Sequence, residues 1–256
     1  MEKSFKRVSI WGISINPIRK VDFIGIINKH ISSNPTNPLH ITGVNPETIS
    51  QSLNDAELLK AINDSNLVNI DNTLVLQMLR LSGVSVPERV ATPDLFDSML
   101  QLAAQKGYSV YLLGAKDDVL KKALENIKTE YPEIVIVGYR NGYFTKHQEV
   151  EICANIRESQ PKMLFIALPT PNKELFIYHN KDILGVPVLL GVGGAIDVKA
   201  GLVKRAPLFF RNIGLEGIHR AIQNPLNYGK RYFTLYPRFV GFVIKEFFKN
   251  KKNNQK

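Results

Sequence analysis

The chain has 256 residues, of which 44% are hydrophobic and 9% aromatic, with one cysteine and a net charge of +10. That is enough for one sizeable core, or one large domain with an appendage, and it excludes an intramolecular disulfide. No apolar run approaches the ~20 residues of a spanning helix, and the N-terminal MEKSFKRVSIWGISI lacks the uninterrupted apolar stretch of a secretory signal.

The charge is unevenly placed. Residues 1–198 hold 20 Lys and Arg against 21 Asp and Glu, whereas residues 199–256 hold 13 against 2, with ten of the 23 Phe, Trp and Tyr. A near-neutral body with a cationic, aromatic end suits a domain that meets an anionic surface or a phosphorylated substrate.

In chain order, Val8–Ile15 alternates apolar and polar residues and predicts a first strand. Val21–Ser32 has helical spacing, Leu39–Val44 predicts a strand ending at Asn45-Pro46, and Glu47–Asn63 predicts a helix. Leu67–Ile70 is a short buried strand, followed by Asp71 and a helix over Leu74–Leu81. A helix over Leu95–Lys106 stops at Gly107, and Tyr108–Leu113 is a strand followed by Gly114 and a helix from about Asp117 to Tyr131. Then come a strand at Ile134–Tyr139, a helix at Glu149–Glu158, a strand at Met163–Leu168, a helix at Lys173–Asn180 and a strand at Val186–Val192. Short β-rich runs alternating with helical patterns predict right-handed βαβ units: an α/β fold with a Rossmann-like, mostly parallel sheet flanked by helices.

A boundary is expected near residue 199, separating an α/β domain, 1–198, from a basic, aromatic C-terminal appendage, 199–256. In the appendage Leu208–Gln223 predicts a helix, and Pro237 is expected to open a last helix at its first turn. There Arg238, Lys245, Lys249 and Lys252 share one stripe, and Phe239, Phe242, Val243 and Phe247 another. Two readings stay open: a helix docked on its own body or a neighbouring subunit, and a helix lying at an anionic bilayer.

In open parallel sheets ligands collect beyond the C-terminal ends of strands. Asn45, Asp71, Gly114, Lys173, Glu174, Gly191, Gly193, Gly194 and Asp197 all follow predicted strands and are expected on one rim. Asp71 is the candidate general base, a carboxylate at a strand end beside apolar walls; the competing role is the N-cap of the helix that begins near Thr73. Gly191-Val192-Gly193-Gly194 suits a backbone in close approach to a phosphate or a sugar. The chain has no GxGxxG, no P-loop and no GxSxG, and its five histidines are scattered without metal-ligand spacing. Cys153 reads as a small buried core residue. The cluster Lys204, Arg205, Arg211, Arg220, Lys230 and Arg231 is suited to phosphate oxygens. Nucleic-acid binding is its rival, disfavoured because the charge is confined to one end and no such motif appears.

Two stretches, VYLLGAKDDVLKKALENIKTEYPEIVIVGYRNGYF (110–144) and PVLLGVGGAIDVKAGLVKRAPLFFRNIGLEGIHRAIQNPLNYGKRY (187–232), resemble the WecG/TagA/CpsF glycosyltransferase family, and the similarity spans about residues 8–235. The resemblance implies a metal-independent, inverting transferase without a cofactor. Its donor is a UDP-sugar, its acceptor a polyprenyl-diphosphate-linked sugar at the cytoplasmic membrane face, and its products serve teichoic acid or other cell-surface polysaccharides. By position it makes 1–198 the catalytic domain and Asp71 the base. It assigns Asn45, Arg89, Asp94 and Asp197 to the pocket, and Arg205, Arg220 and Arg231 to the acceptor diphosphate.

The departing UDP is a dianion or more, and without a metal it needs cations or backbone N–H groups. The chain departs from the family pattern at Asn72 for glycine, Thr92 for glycine, Pro169 for glycine, Lys173 for glutamine, Gly43 for threonine and Gly217 for tryptophan. Most of these fall on the expected pocket and bear on the donor sugar; Lys173 is expected to pair with a diphosphate or a uronic-acid carboxylate. The alternative from another class is a non-catalytic sugar-nucleotide or lipid-binding scaffold. A homo-oligomer would cover the exposed Phe and Tyr of the appendage.

Overall fold

The structure is a computed structural model that describes residues 7–212, 216–223 and 230–253, and beyond residue 207 several helical side chains, those of Arg220 and Arg231 included, lie outside the description. It opens on an antiparallel hairpin, β1 (Val8–Ile10) and β2 (Ile13–Ile15). The single strand expected over Val8–Ile15 is therefore corrected. Trp11 and Gly12 adopt φ of 55° and 78°, the left-handed pair that lets a two-residue turn fold the segment back on itself.

The body is a six-stranded sheet of β3 (Leu39–Val44), β4 (Leu67–Ile70), β5 (Ser109–Gly114), β6 (Val135–Arg140), β7 (Met163–Ala167) and β8 (Val188–Gly191). Their spatial order is β4-β3-β8-β7-β5-β6 and every pairing is parallel. One face is covered by α1 (Lys20–Ser32), α5 (Thr92–Lys106), α6 (Asp117–Glu130) and α9 (Ala195–Lys199). The other carries α2 (Pro46–Ser52), α3 (Ala56–Asn63), α4 (Thr73–Leu81), α7 (Glu149–Glu158) and α8 (Asn172–Leu184). Val110 and Leu112 of β5 enter the first core, and Tyr111 and Leu113 the second. Burial on both faces is why the central strands β5, β7 and β8 read as apolar runs.

The helix expected over Glu47–Asn63 is two helices. Asp55 interrupts it by turning its carboxylate onto the Glu57 and Leu58 N–H groups at 3.1 and 3.0 Å, capping α3. The helix expected over Leu208–Gln223 is described as α10 (Leu208–Asn212) and α11 (Glu216–Gln223). Pro237 does not open the last helix. It lies inside α12 (Lys230–Asn253), which continues through the one ladder bond a proline cannot make. What holds α12 there is packing. Phe239 and Val243 are buried in the cluster formed by β1, β2, α2, α3 and α4, and Trp11 meets the Phe239 ring edge-on at 5.6 Å. Of the two readings of this helix, docking on the body thus describes Phe239 and Val243, while Ile244, Phe247 and Phe248 are exposed.

His40 forms a polar node inside the sheet. Its Nε2 lies 2.9 Å from the Thr42 hydroxyl and its Nδ1 3.2 Å from the Ser65 hydroxyl. Complete burial pushes its pKa down to about 3, so the ring is neutral in the fold. Cys153 is buried as expected, and burial pushes its thiol up to about 11.

Candidate active site

Four adjacent strands, β4, β3, β8 and β7, end on one cavity of about 180 Å³. Gly43, Asn45, Asp71, Asn72, Thr170 and Lys173 line it, with the turn Gly191–Ala195. Loops far apart in sequence meet here because parallel strands all deliver their C-terminal ends to the same edge.

Asp71 follows β4, and the capping role that competes for it falls to its neighbour. The Asn72 Oδ1 accepts the Leu74 N–H at 2.8 Å and caps α4. One Asp71 oxygen accepts the backbone N–H of Thr92 at 2.6 Å, a donor that the first turn of α5 leaves unpaired. The other has no hydrogen-bond partner among the described residues, and the carboxylate lines the cavity. Asn45 spends its Oδ1 on the Glu47 and Thr48 N–H groups at 2.9 and 3.0 Å, which leaves its amide nitrogen unspent.

Lys173, in the first turn of α8, runs beneath the glycine turn, where a Cβ on Gly191 would come within 3.2 Å of the Lys173 Cδ. Gly193 takes φ of +48°, which favours glycine at that position. The Lys173 ammonium donates to a Glu174 carboxylate oxygen and to the Thr170 hydroxyl, and both charged residues are buried. The second Glu174 oxygen is buried without a hydrogen-bond partner among the described residues. The pair is locally neutral, so Lys173 brings polarised N–H donors to the cavity rather than net charge.

Other expected residues lie beside the cavity. Gly114 packs against the Ala167 backbone with no room for a Cβ, at φ of 127°. The Asp197 carbonyl closes α9 by accepting the Leu202 and Val203 N–H groups. Arg89, Asp94 and Arg205 come together in one chain of ion pairs. Arg89 meets Glu216 at 2.9 Å, Arg205 meets Glu216 at 3.2 Å and Asp94 at 2.8 Å, and Arg211 approaches Asp94 at 3.8 Å. The Arg89 and Glu216 side chains are only 14% and 12% exposed, so this seam joins residues 89–94 to residues 205–216 under partial desolvation. Arg220 and Arg231 lie on α11 and α12, with their side chains outside the described part.

Some lining residues had no reading from sequence. Glu47 follows Asn45-Pro46, a signal taken for the end of a strand and for Asn45 alone. Glu216 and Tyr236 complete the wall from the appendage, where the excess of cations drew attention away from an acid and a phenol. The Tyr236 hydroxyl accepts from the Asn72 amide at 3.0 Å. Among the described residues no three His, Cys, Asp or Glu side chains are grouped to hold a metal ion.

The sequence pattern of the glycosyl transferase WecG/TagA/CpsF family matches residues 8–253. The chain belongs to this family. The N-acetylglucosaminyldiphosphoundecaprenol N-acetyl-beta-D-mannosaminyltransferase of Bacillus subtilis (strain 168) is 34% identical to it over 230 residues, 90% of this chain and 88% of that protein. The protein of the same name from Bacillus spizizenii (strain ATCC 23059 / NRRL B-14472 / W23) is 32% identical over 236 residues, 90% of each.

Within this WecG/TagA/CpsF glycosyltransferase, Gly43 and Thr92 face one another in the cavity lining. A Cβ on Gly43 would collide with the Thr92 hydroxyl and lie 3.1 Å from the Asn69 amide nitrogen. The two positions share one space: Thr92 fills from α5 the volume that a side chain on β3 would take. Its hydroxyl stays in the lining, 3.3 Å from the Asn69 amide.

Proposed function

We propose that this glycosyltransferase moves N-acetylmannosamine from its UDP derivative to a polyprenyl-diphosphate-linked N-acetylglucosamine, in teichoic acid or related cell-surface polysaccharide assembly. The observation that carries the chemistry is the Asp71 carboxylate, anchored through one oxygen by the Thr92 N–H with the other unpaired on the cavity wall.

The acceptor hydroxyl oxygen attacks the anomeric carbon while Asp71 takes the hydroxyl proton, and the bond from that carbon to the UDP oxygen breaks. A single displacement inverts the centre, so an α-linked nucleotide sugar gives a β-glycoside, the configuration in the relatives' name. The glycine turn 191–194, the Lys173 ammonium and the Asn45 amide face the donor, where N–H groups suit a departing diphosphate. Because Glu174 neutralises Lys173, the cavity suits an uncharged N-acetyl sugar better than a uronate.

In this reading residues 1–198 are the Rossmann-like catalytic domain, and 199–256 are a basic appendage that meets the lipid diphosphate with Arg205, Arg220 and Arg231. Arg89, Asp94, Gly114 and Asp197 support the donor side from behind. No helix among the described residues is long and apolar enough to cross a membrane. The exposed Ile244, Phe247 and Phe248 beside Lys245 suit peripheral attachment to the anionic inner face of the plasma membrane.

The test is transfer of radiolabelled sugar from a panel of UDP-sugars to a short-chain polyprenyl-diphosphate-GlcNAc, without added metal. Transfer from UDP-N-acetylmannosamine above all others is expected. Transfer from a different donor overturns the sugar assignment, and UDP binding without transfer favours the scaffold.

A further inference from the structure

A second cavity, of about 440 Å³, lies between α2 and α12. Leu53 from the end of α2 and Leu235 and Phe242 from α12 supply its apolar lining, with Ser50, Gln51 and Arg238 beside them. Leu53 is 40% exposed, an aliphatic side chain on a wall that the fold itself leaves uncovered. Arg238 is exposed and makes no ion pair among the described residues. Asp55, the acid of this lining, has its carboxylate committed to capping α3.

The crevice starts one helical turn from the reaction cavity. Glu47 lines the first and Gln51 the second, four residues apart on α2, and the Gln51 amide reaches the Glu47 carboxylate at 3.4 Å. On α12, Tyr236 lines the first and its neighbour Leu235 the second. A polar reaction cavity thus lies next to an apolar crevice along one pair of helices, with a guanidinium in the crevice lining. That sequence of surfaces matches an amphiphile of one kind: a sugar, then a phosphate, then a hydrocarbon chain.

We propose that the crevice between α2 and α12 binds the first isoprene units of a polyprenyl-diphosphate acceptor, with Arg238 on its phosphate. The inference rests on the acceptor class proposed above. With the acceptor hydroxyl at Asp71, the diphosphate and chain leave the reaction cavity along Tyr236 and Leu235. The chain then lies against Leu53 and Phe242, and beyond Phe242 the exposed Phe247 and Phe248 continue α12.

The experiment is calorimetric titration of the full chain with farnesyl diphosphate, dimethylallyl diphosphate and farnesol, with no turnover involved. Farnesyl diphosphate is expected to bind at least about tenfold more tightly than dimethylallyl diphosphate, because only the longer chain reaches apolar surface. Leu53→Ser and Leu235→Ser are expected to erase that chain-length gain and leave UDP binding unchanged; the half-exposed Leu53 makes its variant safe for folding. Arg238→Gln is expected to weaken farnesyl diphosphate about tenfold and leave farnesol unaffected. Equal binding of the two diphosphates to the unmodified chain, or a gain that survives both serine variants, overturns the crevice. An unaltered farnesyl diphosphate affinity in Arg238→Gln overturns the phosphate contact. A failed transferase reading shows itself separately, as absence of transfer in an enzyme that still binds UDP.

Discussion

The two walls of the reaction cavity are built differently. On the sheet side, neutral hydrogen bonds between near neighbours hold the geometry: Asn45 to residues 47 and 48, and Asn72 to residue 74. On the appendage side, contacts span the chain. Arg89 reaches Glu216 across 127 positions, Asn72 reaches Tyr236 across 164, and the Thr73 hydroxyl reaches the Arg211 carbonyl across 138. The first wall exists whenever the sheet exists. The second depends on ion pairs between nearly buried side chains and on the docking of Phe239 and Val243, contacts that form only once the C-terminal helices have met the rest of the fold.

The sharpest way to separate the walls is Asp71→Asn. The asparagine oxygen still accepts the Thr92 N–H, so thermal stability is expected to hold while kcat falls by about 10²–10⁴-fold; full turnover would remove Asp71 from its role. On the other wall, Glu216→Gln leaves Arg89 and Arg205 without their shared counter-charge. A loss of stability of about 3 kcal/mol is expected by denaturant titration, the low end for a pair that is nearly but not fully buried. Earlier proteolysis within residues 199–253 should accompany it; protection equal to that of the unmodified chain would contradict the seam.

The pair Gly43 and Thr92 gives a smaller effect. Gly43→Thr alone overpacks against Thr92 and is expected to cost about 1–3 kcal/mol, and adding Thr92→Gly should recover most of it. Additive losses would show that the two positions do not share the space. Per pH unit the smallest effect is the pH dependence from His40, near the start of β3. Its pKa is about 3 in the fold against 6.5 in the free side chain, so between those values the unfolded chain binds a proton that the folded chain excludes. Stability should therefore fall as pH drops below 6.5, by up to about 1.4 kcal/mol per unit from this residue. His40→Gln should flatten that slope, as read from melting curves between pH 7 and pH 4.

The same contrast explains what was legible in the sequence. Leu39–Val44 and Leu67–Ile70 are strands with the expected bounds, because a short segment buried on both faces and stopped by a polar residue has little else to become. Asn45, Asp71, Lys173, Gly193 and Gly194 line the cavity as the strand-end rule expects. The rule does not say which of Asp71 and Asn72 takes the cap, since either side chain fits it. Trp11 hid the first hairpin, because a bulky residue in a left-handed conformation is not what a turn advertises. The seam was illegible for a different reason. Counting charge flags Arg205 and Arg211 as cations in search of a phosphate, but it cannot pair Arg89 with an acid 127 residues away, one of only two in the basic segment.

Trp11 carries a further consequence. It is the only tryptophan of the chain, and its indole meets Phe239, the residue that docks α12. All the indole emission therefore originates at the joint between body and last helix. A red shift of that emission would register undocking of α12 directly, and its time course on adding lipid vesicles or salt would show whether the helix leaves the body before the fold melts.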